Sequence, residues 1–243
     1  MATPASWSPA PKSLTLSENV LHVWRARLPS NAMALRRFES ILSEEEKKRA
    51  EKFLVRDAKE CFVAARGILR ERLGEYMNAE PAEIVLGCGP YGKPCVSVSD
   101  CSRAIRFNVS HSHGYGAFVF ARGRETGIDI EQIRPEAAGE DIARRFFSPR
   151  EVEQLRAMPE EIRTEGFFRC WTKKEAYIKA LGEGLQIPLH SFSVSIDETG
   201  PQELMDKEGS PWSLYPFEPT AGFAGAVAAQ GKGWQLEFWD WQG

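Results

Sequence analysis

Residues 121–133 read ARGRETGIDIEQI, and where this stretch is divided decides the fold. Its front half is polar and glycine-marked, the composition of a turn, and it lies near the middle of the chain. Its back half alternates: Ile128 and Ile130 fall on one side of an extended strand, Asp129 and Glu131 on the other. A strand starting here begins a second series of elements that repeats the order of a first.

The first series opens with a strand, VLHVWRAR at 20–27. A capping box, Ser43 with Glu46 three residues on, then starts a long helical region running to about Met77. Phe53, Phe62, Ala65, Leu69, Leu73 and Tyr76 give that region its three-to-four spacing. Short strand-like runs follow at 83–87, 94–98, 105–110 and 115–121. In the second series the 126–133 strand comes first, and Ser148 with Glu151 makes another capping box, Pro149 at the first helical position. The segment from Glu160 to Leu181 reads as a helix stopped by Gly182 as a left-handed cap. SFSVSI, WSLYPF, AGFAGAVAA and WQLEFWDW close the chain as strands. The fold class is therefore α+β: a flexible lead-in at 1–19, then two similar α/β lobes at 20–123 and 124–243. The active site is expected in the cleft between them. The halves share this order of elements and no residue-level repeat.

Composition excludes several classes. The 243 residues are 42% hydrophobic and 27% charged, ordinary for a globular protein. A net charge of −3 argues against nucleic acid as a partner. No run approaches the ~18 apolar residues of a membrane span, and the N-terminus lacks the pattern of a secretory signal. Five cysteines, an odd number, fit free thiols in a reducing cytoplasm. Residues 87–92, GCGPYG, match a dinucleotide-loop pattern, but the proline-marked extended run after them is not the helix such a loop must open.

Two carboxylates on one strand face repel unless a cation lies between them, and hard oxygen ligands suit Mg²⁺, with Mn²⁺ as the alternative ion. A solvated strand face is the plain alternative for Asp129 and Glu131. In WTKKEAYIKALGEGL (171–185), Phe167, Trp171, Lys174, Ile178 and Leu181 form a stripe that should pack. Glu175 and Lys179 lie on the neighbouring stripe at i,i+4, placed to supply a third carboxylate and a cation for a phosphate oxygen; a surface ion pair is the other reading. FNVSHSHG (107–114) offers Asn108, Ser110 and His111 where a strand gives way to a loop, and YGKP (91–94) offers Lys93 in a rigid turn.

GKP, FNVSHS, GIDIE, RFFSPRE and WTKKEAYIKALGEGL, in that order, closely resemble the 4′-phosphopantetheinyl transferases, within them the broad-specificity, surfactin-synthetase-activating type. The resemblance runs from about Ser43 to Phe192 and implies two fused lobes related by a pseudo-twofold axis in a monomer. It implies Mg²⁺-dependent transfer of 4′-phosphopantetheine from coenzyme A to a serine of acyl or peptidyl carrier proteins, releasing adenosine 3′,5′-bisphosphate. By resemblance Asp129, Glu131 and Glu175 hold the metal, and Asp129, Glu175 and Lys179 are the catalytic residues. Ser110, His111 and Lys179 then contact phosphates, with Asn108 beside them. Gly92, Lys93 and Pro94 line the nucleotide pocket, and Arg49 sits where the 3′-phosphate is bound. Two departures bear on that last subsite: Glu46 stands where some relatives have a lysine, and Cys61 where some have a hydroxyl. The rival readings are a Mg²⁺-dependent nucleotide phosphohydrolase built on the same carboxylates, and a non-catalytic carrier-binding relative.

Overall fold

The computed structural model describes residues 6–11, 14–96, 104–196 and 200–243. Its first elements are β1 (Ser8–Pro9), β2 (Val20–Arg27), α1 (Ala32–Ile41), α2 (Glu44–Glu51), α3 (Arg56–Met77), β3 (Leu86–Cys88), β4 (Pro94–Val96), β5 (Ile105–Ser112) and β6 (Tyr115–Arg122). After the central turn come β7 (Thr126–Gln132), α4 (Glu140–Phe146), α5 (Pro149–Ala157), α6 (Glu160–Leu181), β8 (Gln202–Met205), β9 (Pro211–Phe217), β10 (Phe223–Gln230) and β11 (Gln235–Asp240). The fold is mixed α/β.

Both capping boxes form: the Ser43 and Ser148 hydroxyls accept from the amides of Glu46 and Glu151, whose carboxylates accept from the serine amides in return. Helix α6 has the expected bounds and ends on Gly182 at φ 75°. The long helical region of the first half, by contrast, is two helices. Phe53 packs back on Phe62 with ring centroids 5.4 Å apart, and Val55 enters α3 from an extended conformation. Helix α1, started by the Asn31 side chain, lies outside the expected elements.

SFSVSI at 191–196 is not a strand, for a reason visible in its backbone. The amide of Val194 is taken by the Glu151 carboxylate, and the carbonyls of Phe192 and Ser195 by Lys174 and Lys173. Buried side-chain charges hold the groups a ladder would have used.

Two sheets stack face to face. The first has the order β1-β11-β2-β6-β5 and the second β7-β10-β9-β8, while β3 and β4 make a separate hairpin. Period-two alternation sorts the core into three parts. Trp24, Phe118 and Phe120 face α1 and α3 with Phe38, Ile68 and Leu69. Leu21, Val23 and Val119 face Ile128, Ile130 and Val227 across the space between the sheets. Ala226, Ala228 and Leu214 face the helical layer that carries Phe167, Phe168 and Tyr177. At 25 cal/mol/Å², burying each of these large apolar side chains contributes roughly 1.5–3 kcal/mol.

The closing strand departs from the expected two-lobe division. β11 pairs in parallel with β2, Leu236 opposite Leu21 and Phe238 opposite Val23, so residues 235–240 complete the first sheet. Ser8–Pro9, inside the expected lead-in, adds to its far side. Sequence alternation identifies a strand and its faces but carries no label for the partner.

Candidate active site

The site begins with a glycine. A Cβ on Gly127 would lie 2.2 Å from the Ala176 carbonyl oxygen and 2.4 Å from the Ala180 nitrogen, so α6 rests directly on the β7 backbone at this point. Ala226 and Ala228 of β10 keep the same bed shallow. Asp129 and Glu131 follow Gly127 at period two and share its face, toward the helix. Close contact through Ala176 and Ala180 brings the neighbouring Glu175 and Lys179 over that face.

The electrostatics of the cluster follow from its depth. Asp129 is buried, and desolvation raises its carboxyl above the ordinary value even though Lys179 Nζ lies 2.6 Å from Oδ1. Glu131 is raised too, by burial first and with the Asp129 charge adding. Glu175 is pushed up to about 7, by burial and then by the negative charge of Asp129, with Glu131 also contributing. Three carboxylates therefore sense one another, and one ammonium offsets them incompletely.

The fit to a divalent cation rests on Asp129 Oδ2, which is buried and has no hydrogen-bond partner among the described residues. An orphaned carboxylate oxygen at this depth, flanked by two glutamates, is a hard anionic donor set of the kind Mg²⁺ or Mn²⁺ takes. Among the described residues no three acidic, histidine or cysteine side chains are already gathered into a metal cage. Among the described residues Lys179 is the cation paired with Asp129, and it reaches it across the helix–strand contact. The ion pair therefore joins Lys179 to Asp129 and not to its expected i,i+4 neighbour Glu175.

The remaining expected residues divide into groups with distinct surroundings. Ser110 Oγ donates to Asp129 Oδ1 at 2.9 Å and accepts from the Ile130 amide and Lys179 Nζ, which joins it to the carboxylate cluster. Asn108 is buried and its Oδ1 accepts from the Ile128 amide, while His111, three residues on along β5, is exposed. Lys93 spends its ammonium on Glu125, the Thr126 carbonyl and the Ala180 carbonyl, clasping the start of β7 to the end of α6. Burial pulls its pKa down, with Glu125 opposing. Lys93 and Pro94 wall a cavity of about 350 Å³ shared with Tyr91, Phe107 and Gly182, while Gly92 turns the preceding loop at φ 85°. Arg49, exposed in the last turn of α2, lies over the Phe62 ring. Glu46 is buried against Arg70 at 2.7 Å and Arg66 at 3.4 Å, which is why it is not a lysine. A cavity of about 990 Å³ lies elsewhere, between Trp24, Arg72 and Trp241, and none of the three carboxylates lines it.

Two contributors went unread in the sequence. Gly127 carried a usable signal, since a glycine inside a strand marks close backbone approach. Ser112, whose hydroxyl bonds Glu131 at 2.8 Å, is one strand period beyond Ser110.

Comparison with known proteins gives the arrangement a lineage. Residues 24–122 match the family model "4′-phosphopantetheinyl transferase, N-terminal", and residues 125–229 match that of the 4′-phosphopantetheinyl transferase superfamily. The 4′-phosphopantetheinyl transferase HetI of Nostoc is 37% identical over 96% of this chain and 98% of its own. The 4′-phosphopantetheinyl transferase Sfp of Bacillus subtilis is 32% identical over 79% of this chain and 84% of its own. Among solved structures, the Thermotoga maritima holo-[acyl-carrier-protein] synthase matches 44% of this chain and 63% of its own at a TM-score of 0.29 and 23% identity. With the GIDIE strand and the WTKKEA helix meeting at Gly127, and with relatives of this similarity along nearly its full length, the chain belongs to the 4′-phosphopantetheinyl transferase family and is of the Sfp-like type.

Proposed function

We propose that the protein transfers 4′-phosphopantetheine from coenzyme A to the serine hydroxyl of an acyl or peptidyl carrier protein, with Mg²⁺, releasing adenosine 3′,5′-bisphosphate. The observation that carries the reading is the orphaned Asp129 Oδ2, buried beside Glu131, Glu175 and Lys179. Asp129, Glu131 and Glu175 are the residues that would hold the ion, which when bound neutralises charge on the diphosphate of coenzyme A.

The chain's own residues do the rest. The Lys179 side chain is 30% exposed, so its ammonium can leave Asp129 for a phosphate oxygen. As the serine Oγ bonds to the phosphorus nearer the pantetheine, the bond from that phosphorus to the adenosine 5′-phosphate oxygen breaks, and the serine proton must go to a base. Glu175 is one candidate for that base, and a water held by Glu131 is the other. The cavity walled by Lys93 and Pro94 supports a nucleotide site beside α6.

We also read the two halves as lobes related by a pseudo-twofold axis, with the site in their cleft. Support comes from matched features: α3 and α6 each have 22 residues, each half has a capping-box glutamate, and each such glutamate meets a buried cation on the long helix, Arg70 or Lys174. One chain would then supply a whole site, as a monomer acting in the cytoplasm.

The test is intact-mass analysis of apo carrier proteins, one from fatty-acid synthesis and one from a peptide synthetase, incubated with coenzyme A, Mg²⁺ and the protein. The expected result is a phosphopantetheine-sized gain that disappears with a chelator and with Asp129→Ala. Release of nucleotide products without any carrier would replace this reading with hydrolysis.

A further inference from the structure

β5 and β7 lie side by side at the junction of the two sheets without a backbone ladder between them. Side chains make the join. Asn108, Ser110 and Ser112, alternate residues of β5, accept from the amides of Ile128, Ile130 and Gln132, alternate residues of β7, at 3.0, 3.3 and 3.2 Å. The offset is constant, so the contact fixes register as a sheet would. It also fixes the carboxylates on the intervening positions of β7, because each serine gives its single proton to one: Ser110 to Asp129 at 2.9 Å and Ser112 to Glu131 at 2.8 Å.

Ser112 has its full complement of bonds. Its hydroxyl hydrogen goes to Glu131 Oε2, and its two lone pairs face the Gln132 amide and His113 Nδ1, 3.0 Å away. The imidazole nitrogen is then the protonated one. His113 reaches this position from a backbone φ of 41°, in the left-handed region. A buried hydroxyl with one donor and two acceptor bonds, all made, has no freedom to turn away from the carboxylate.

We propose that Ser112 is a positioning residue for the metal centre: it holds Glu131 Oε2 so that the other carboxylate oxygen is presented toward Asp129. This rests on the metal reading proposed above and adds to it a residue that touches neither ion nor substrate. Partners that orient a ligating side chain typically carry ten- to a hundredfold of metal affinity.

Calorimetric titration of the full chain with Mn²⁺ alone tests it, with Asp129→Ala as the reference for a lost site. Ser112→Ala is expected to weaken Mn²⁺ about tenfold, Ser112→Thr to stay within about threefold of wild type, and Ser112→Ala in a Glu131→Ala background to cost nothing further. Should the alanine variant not fold, Ser112→Cys, which keeps the size and weakens the hydrogen bond, carries the same comparison. Unchanged Mn²⁺ affinity in Ser112→Ala overturns the proposal. So does an equal loss with and without Glu131, which would make Ser112 a general support of the fold. If wild type binds Mn²⁺ no better than Asp129→Ala, the metal reading fails and takes this proposal with it.

Discussion

Replacing Lys174 by methionine should destabilise the protein severely without touching the chemistry. The Lys174 and Glu151 side chains are both 0% exposed, with Nζ and Oε1 2.8 Å apart. Glu151 also accepts from the Ser148 and Val194 amides, each at 2.7 Å, and Lys174 also donates to the carbonyls of Leu189 and Phe192. The pair thus ties the start of α5, the middle of α6 and the 189–194 segment together. Methionine keeps the volume but strands a carboxylate and two carbonyls in the interior. Breaking one partner of such a pair costs about 3–5 kcal/mol, a large share of the ~5–15 kcal/mol a domain commands. Glu151→Gln leaves the mirror-image defect, an amide NH₂ facing donors. Urea unfolding is the assay, and a lower midpoint at unchanged slope is expected for each single variant. The double variant Glu151→Gln/Lys174→Met should lose less than the sum of the two, because neither then faces an unpaired charge. A loss below ~1 kcal/mol in Lys174→Met, the range of an exposed pair, would refute the reasoning. Abolished transfer with intact stability in Glu151→Gln would refute the structural assignment of Glu151.

Three further perturbations probe the site. Gly127→Ala places a methyl inside the α6 backbone, so loss of transfer and a fall in stability of about 1–3 kcal/mol or more are expected together, by activity assay and melting; a neutral variant would mean the helix does not rest on the strand. Lys179→Ala removes the 2.6 Å bond to Asp129 and the expected phosphate contact; turnover should fall well over tenfold, in keeping with a charge-assisted bond of ~1.5–3 kcal/mol, and unchanged kinetics would return Lys179 to a surface role. Metal-free protein should lose stability relative to its Glu175→Gln variant as pH rises from 5 to 8, a comparison that cancels the opposite contribution of buried His22, whose pKa is lowered to about 4. Glu175 at about 7 binds its proton more tightly folded than unfolded, so its favourable contribution is complete below the unfolded value of 4.5 and gone above 7. The change is at most about 3 kcal/mol, and Mg²⁺ should raise the melting temperature more at pH 8 than at pH 5. A melting-temperature difference between wild type and Glu175→Gln that is independent of pH across this interval would contradict the placement of Glu175.

Much of this was legible from residues alone, where the signal is local. Both capping boxes, the α6 bounds and the faces of Asp129 and Glu131 follow from spacing, and spacing survives folding. What spacing does not encode is who receives a group. Lys93 and Asn108, expected as ligand contacts, also have protein partners that spacing does not show: one clasps β7 to α6 and the other accepts from a β7 amide. The 191–196 segment has strand periodicity, and buried lysines and a glutamate from two helices take its backbone instead. Ser110 was found because it stands next to a histidine in a motif; Ser112, equally engaged, was passed over although the same period of two points to it.

The parallel pairing of β11 with β2 sets how the molecule is made and how it yields to force. During synthesis the strand that becomes β2 emerges early, and its outer edge stays bare for some two hundred residues until Gln235–Asp240 arrives. The first half can collapse around its helices before then, but its sheet is finished only when Gln235–Asp240 reaches it. Once seated, β11 is a main-chain suture from the second half to the first. Hauling the two halves apart would load its hydrogen bonds in shear, all at once, instead of peeling them singly.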